Sequence, residues 1–196
     1  MTEREKKDRG LWYDANFNPE LLKERDHAEE LCFELNRTSP VEREKIQDII
    51  TKLLAHFGEG STILPPFNVD YGYNCRIGEG TFVNHYAYLM DCAPITIGNH
   101  CFIGPSCGMY TANHPLVAGE RNEGLEIALP ITLEDNIWLG AGVTILPGVT
   151  IGEGSVIGAG SVVTKDIPPH VVAAGNPCQV IREITEEDRI KPEKEL

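Results

Sequence analysis

From Leu133 to Val163 an aliphatic residue returns at every sixth position without a break: Leu133, Leu139, Ile145, Ile151, Ile157 and Val163. Directly after them come Glu134, Gly140, Leu146, Gly152, Gly158 and Thr164, and four residues after them Ile137, Val143, Val149, Ser155, Ser161 and Ile167. A period of six fits neither the turn of an α-helix nor the alternation of an ordinary strand. It fits a short strand followed by a turn, three of which return the chain above its start as one coil of a triangular prism. The aliphatic residue points inward and stacks on its counterpart in the next coil, and a small residue beside it lets the backbone turn. The same phase recurs in Ile77-Gly78, Val83, Ile97-Gly98, Ile103-Gly104 and Met109. A mainly β chain, a parallel β-helix over residues 61–182, is the expected architecture.

The remaining segments follow other rules. Residues 1–60 read as a helical region. Asn18-Pro19 supplies an N-cap and a Pro at the first helical position, ahead of Leu21, Leu22, Ala28, Leu31, Cys32 and Leu35. Ser39-Pro40-Val41-Glu42 predicts a second start through a capping box, followed by the stripe Ile46, Ile49, Ile50, Leu53 and Leu54, with Gly58 as the stop. The six-residue register breaks between Met109 and Leu133, so residues 110–130 are expected to loop out of the coils, as long loops with functional residues do. The charged stretch 183–196 is expected to be a tail.

A net charge of −13 argues against a nucleic-acid partner. No run of eighteen apolar residues indicates a membrane span, and the charged N-terminus shows no signal peptide. The cysteines Cys32, Cys75, Cys92, Cys101, Cys107 and Cys178 form no CxxC pair, which suits free thiols in a reducing cytoplasm. Cys75, Cys101 and Cys107 occupy the second inward position of the repeat and are expected to be small buried hydrophobes.

Several strings carry more than a fold: WYDAN (12–16), PPFNVDYGYN (65–74), TANHPL (111–116), the long run 131–168 and AAGNPCQVIREI (173–184). Together, in this order and over nearly the whole chain, they resemble the hexapeptide-repeat sugar O-acetyltransferases of the maltose and galactoside acetyltransferase type. The resemblance implies a left-handed β-helix, a homotrimer with sites between subunits, acetyl-CoA as co-substrate and a sugar acceptor, glucose- or maltose-like because Asp70 is typical of the maltose-type branch. It implies His114 as general base, a role that imidazole suits because its pKa lies near operating pH, and Glu126 as the group orienting the ring. Asp14, Asp70, Asn84 and Asp91 match acceptor-binding positions, where amides and carboxylates serve hydroxyls. Trp138, Ala141, Ala159, Thr164, Lys165 and Arg182 match positions around the cofactor. The Ala141 amide stands where the family has an oxyanion donor, and Lys165 and Arg182 would meet phosphates.

Other readings remain open. The acceptor could be a xenobiotic or an amino sugar. A γ-type carbonic anhydrase on the same kind of coil would need a cluster of metal-binding histidines, for which His85, His100 and His114 are the only trio in the coils and loop; no metal is expected. A non-catalytic scaffold is the third alternative.

Overall fold

The computed structural model describes residues 1–190; the remainder of the expected tail, 191–196, lies outside the described residues. Short parallel strands stack on three faces. The first face holds His56–Phe57, Cys75–Ile77, Ile95–Ile97, Ile131–Leu133 and Thr150–Ile151. The second holds Thr62–Ile63, Phe82–Val83, Phe102–Ile103, Trp138–Leu139, Val156–Ile157 and Val171–Gly175. The third holds Phe67–Val69, Ala87–Met90, Gly108–Tyr110, Thr144–Ile145 and Val162–Val163. The chain visits the faces in that order in every coil.

The register explains the period. On the first face Ile77, Ile97, Leu133 and Ile151 stand directly above one another. Each is at most 1% exposed, and burying each such side chain is worth about 1.5–3 kcal/mol before chain entropy is subtracted. Corners need residues without bulk where coils touch: a Cβ at Gly140 would stand 2.6 Å from the Ala159 nitrogen in the next coil. Ser155 and Ser161, polar at inward positions, are both fully buried and satisfied, Ser155 donating to the Pro168 carbonyl and Ser161 to that of Gly158. The expected inward cysteines Cys75, Cys101 and Cys107 are buried too.

The β-helix begins earlier than the expected boundary, at His56. Helix α1 (Glu3–Asp8) comes first, closed by a capping box at Thr2, and sequence patterning did not single it out. Helix α2 (Pro19–Arg37) starts as expected, with the Asn18 side chain accepting from the amides of Glu20 and Leu21. Helix α3 (Arg43–Leu53) starts later than the Ser39 capping box implied. Pro40 instead sits in a tight turn closed by the Glu42 N–H donating to the Ser39 carbonyl at 2.9 Å, a conformation that Pro in second place favours. Gly58 is not a helix stop. Helix α3 ends when Leu54 turns extended, and Gly58 is a coil corner, where a Cβ would stand 2.4 Å from the Gly78 carbonyl carbon.

Both ends of the stack are covered. Below, the Asn36 side chain at the end of α2 accepts from the Phe67 N–H at 2.8 Å and donates to the Phe67 carbonyl at 3.1 Å. Above, Cys178–Glu183 turns back antiparallel along Val171–Gly175.

The excursion 110–130 has order of its own. Ala112–Asn113 and Leu125–Ala128 pair as an antiparallel hairpin, with helix α4 (Ala118–Asn122) at its tip. The N-terminal strand Tyr13–Asp14 adds to its far side, Tyr13 opposite Glu126 and Asp14 opposite Leu125.

Candidate active site

His114 follows the first hairpin strand, at the prism edge between the third and first faces. Its Nδ1 lies 3.0 Å from the Leu125 carbonyl on the returning strand. A carbonyl only accepts, so Nδ1 carries the proton and Nε2 presents its lone pair. The ring is therefore oriented by backbone. Glu126 does not orient it through a hydrogen bond, as the resemblance implied; its Oε2 stands 3.9 Å from Nε2, on the reacting side of the imidazole. The carboxylate is almost buried, while the histidine is half exposed.

Three residues not singled out in the sequence complete this side. Tyr13, fully buried, donates its hydroxyl to Glu126 Oε1. Tyr88 donates its hydroxyl to Asp70 Oδ1. The Cys92 thiol lies 3.6 Å from Asp70 Oδ2. Burial above all, and then the charges of Glu126 and Asp70, push that thiol far above its ordinary value, so it stays neutral. Behind them Arg25 donates to the Tyr71 hydroxyl at 2.8 Å and to the Ala15 carbonyl, and the buried Lys7 ammonium stands 4.8 Å from the Tyr71 ring. Tyr13 lay within WYDAN, but nothing in a linear sequence says that it faces Glu126.

Of the expected acceptor residues, Asp70 lies at the same edge, half buried. Asp91 does too, but it has no exposed surface. Its Oδ1 accepts from the amides of Asp70 and Tyr71 at 3.1 and 2.8 Å, and its Oδ2 from that of Asn74 at 3.2 Å. Asp91 thereby braces the turn that carries Asp70. Burial raises its pKa against the pull of those backbone donors. Asp14 caps its own turn, accepting from the amides of Asn16 and Phe17 at 3.2 and 2.9 Å, and is partly accessible beside the hairpin.

Asn84 stands at a different edge, between the second and third faces, and its side chain accepts from the next amide, of His85. Ala141 and Ala159 lie exposed at that same edge in consecutive coils, with the Gly160 N–H donating to the Ala141 carbonyl at 2.8 Å. Thr164 and Lys165 are exposed at the His114 edge, two coils on. Trp138 points out of the second face, 56% exposed, directly above Phe102, itself 58% exposed. Arg182 is not an unengaged cation: its guanidinium forks onto both carboxylate oxygens of Asp188 at 2.8 Å. One chain therefore holds His114 and the small residues Ala141 and Ala159 at two separate edges. His85, His100 and His114 stand at three different edges, so within one chain they do not converge, and among the described residues no group of three or more His, Cys, Asp or Glu is placed to hold a metal ion. No helix of the described residues is long and apolar enough to cross a membrane.

Comparison with known proteins follows the same division. Residues 6–58 match the maltose acetyltransferase hexapeptide capping motif, residues 130–165 the bacterial transferase hexapeptide (six repeats), and residues 94–111 the hexapeptide repeat of succinyl-transferase. A protein of Staphylococcus aureus (strain MRSA252) that bears the name of an acetyltransferase is 54% identical over 95% of this chain and 94% of its own. The crystal structure of a maltose O-acetyltransferase from Clostridium difficile 630 superposes with a TM-score of 0.92 at 45% identity, covering 95% of this chain and 99% of that one. A galactoside acetyltransferase in complex with coenzyme A superposes at 0.91 with 39% identity, over 96% and 94% of the two chains.

Proposed function

The chain belongs to the hexapeptide-repeat acetyltransferases that carry the maltose acetyltransferase capping motif, and from that membership we propose that it moves the acetyl group of acetyl-CoA to a hydroxyl of a glucose- or maltose-like sugar. The observation that carries the reading is the His114 ring, with Nδ1–H held by the Leu125 carbonyl and Nε2 left as an acceptor at an accessible edge.

In this mechanism Nε2 takes the proton of the sugar hydroxyl as its oxygen attacks the thioester carbonyl carbon. The imidazolium that forms is stabilised by the Glu126 carboxylate. The negative oxygen of the tetrahedral intermediate meets the backbone N–H of Ala141, a type of donor that lowers such barriers strongly. The carbon–sulfur bond then breaks, the imidazolium returns its proton to the sulfur, and acetylated sugar and CoA depart. Asp70, Asp14 and Asn84 bind sugar hydroxyls. Ala141 and Ala159 leave room for the pantetheine arm, Trp138 borders the cofactor, and Thr164, Lys165 and, once exchanged from Asp188, Arg182 serve its phosphates.

The division between two edges supports a homotrimer, in which the His114 edge of one copy faces the Ala141 edge of the next; cyclic symmetry makes every such contact alike. The outward Phe102 and Trp138 offer apolar surface for it. The six buried, unpaired thiols suit the reducing cytoplasm.

The test is CoA release from acetyl-CoA with glucose, maltose, a galactoside, glucosamine and chloramphenicol. Release driven by glucose or maltose supports the reading. Release by glucosamine or chloramphenicol alone moves the acceptor to an amino sugar or a xenobiotic, and no release from any of them overturns the sugar assignment.

A further inference from the structure

The hydrogen bond between Tyr13 and Glu126 crosses from the N-terminal strand into the excursion that bears the base. The two residues are direct cross-strand partners. Tyr13 has no exposed surface, and its hydroxyl goes to Oε1, the oxygen turned away from the histidine. Oε2 is left 3.9 Å from Nε2. Without the phenol, Glu126 could rotate about its last side-chain bond and turn either oxygen, or neither, toward the ring. A glutamate side chain has three rotatable bonds, and fixing its terminal torsion is a separate requirement from placing its backbone.

We infer that Tyr13 is a positioning residue of the acetyl transfer, acting through Glu126: its phenol anchors one carboxylate oxygen so that the other faces the proton that His114 acquires. The inference rests on the reading of His114 as base. Burial, with Cys92 and Glu126 nearby, pushes the phenol far above its ordinary range, so it remains a donor at every working pH. The arrangement also makes the N-terminal segment part of the reaction machinery. Backbone pairing with Leu125–Ala128 places that strand, and the single hydroxyl gives it a chemical task. Generic loop bracing would need the ring and the strand but not the oxygen.

Tyr13→Phe separates these roles, because it keeps the ring and deletes the hydroxyl. It is compared with wild type, with Glu126→Gln and with the double variant, measuring kcat, KM for acetyl-CoA and thermal unfolding in the full-length protein. The expected result is a kcat about tenfold lower, the worth of one hydrogen bond to a charged group, with KM for acetyl-CoA unchanged. In the Glu126→Gln background the same change should alter kcat by less than about twofold, since groups acting through one another are not additive. An undiminished kcat in folded Tyr13→Phe, or equal losses in both backgrounds, overturns the inference. If Tyr13→Phe does not fold, Glu126→Asp decides: a carboxylate one methylene shorter cannot reach both phenol and imidazole, so wild-type kcat there overturns it and a loss at least as large as that of Glu126→Gln supports it. Wild-type protein that acetylates no sugar overturns the functional reading, and this inference with it.

Discussion

The edge that carries His114 and the edge that carries Ala141 are built in opposite ways. At the first, polar groups are held by partners inside the chain: Leu125 holds the imidazole, Tyr13 holds Glu126, Tyr88 holds Asp70, and three backbone amides hold Asp91. At the second, Ala141 and Ala159 contribute by what they lack, leaving a strip of exposed backbone between coils. The first edge needed an excursion and an N-terminal strand to assemble it, whereas the second follows from the repeat alone. On the proposed reading, the base sits where several partners fix its surroundings, and the long flexible co-substrate runs where small residues leave room.

The sharpest way to break the comparison is to damage one edge at a time and then mix. His114→Ala should lower kcat by about a hundredfold or more, the low end for losing a general base. Ala159→Trp should fill the groove. Unfolded and refolded together in equal amounts, the two inactive variants should regain about a quarter of wild-type activity, the chance that an intact base edge meets an intact groove edge in a random cyclic assembly. No recovery would mean that each site lies within one chain.

Asp91→Ala tests whether the first edge depends on internal bracing. Leaving three amides without their acceptor should cost about 2 kcal/mol, read as a lower denaturation midpoint in urea at unchanged slope. Unchanged stability would mean that the turn does not depend on Asp91. Its raised pKa has a defined sign. A carboxyl easier to protonate when folded makes its contribution most favourable below the ordinary carboxylate range, and that contribution is lost as pH rises through the raised value. Stability of wild type relative to Asp91→Ala should therefore fall, not rise, as pH climbs through this window.

A milder perturbation of the second edge is Ala141→Val, which should raise KM for acetyl-CoA by about tenfold while affecting KM for the sugar less. The smallest expected effect is at the buried thiols. Burial pushes the Cys32 thiol up to about 11 and raises Cys75, Cys92, Cys101, Cys107 and Cys178 as well. Iodoacetamide at pH 8 should leave the native protein unlabelled over an hour and modify all six thiols once it is unfolded; mass spectrometry counts the adducts.

How legible each part was in the sequence follows from the range of the forces that shape it. Leu133 to Val163 could be read directly, because each coil repeats the same local demand. The first coil obeys the same spacing at Phe57, Ile63 and Val69, yet its first unit, at Phe57, lies directly after a helical stripe and reads as part of a helix ending at Gly58. His114 was legible through its surrounding string, but its tether was not: Leu125 lies eleven residues on and offers only a carbonyl, which every residue type has. At Asp91 the residue type shows that it can serve hydroxyls, but not that backbone amides engage its oxygens. The Tyr13–Glu126 contact joins positions 113 residues apart, which no local pattern records.

The paired hydrogen bonds from Asn36 to Phe67 bear on assembly. A stack of parallel strands ends in rows of unsatisfied amides and carbonyls, and a second copy could continue the ladder there, adding chains without limit. At Phe67 a side-chain amide imitates the missing neighbour strand, offering one acceptor and one donor in place of a peptide group. At the other end of the stack the antiparallel return of Cys178–Glu183 reverses the chain direction, so another parallel coil has no matching template on that face. Growth along the prism axis is discouraged at both ends, which leaves the sides of the prism as the surfaces open to a second copy.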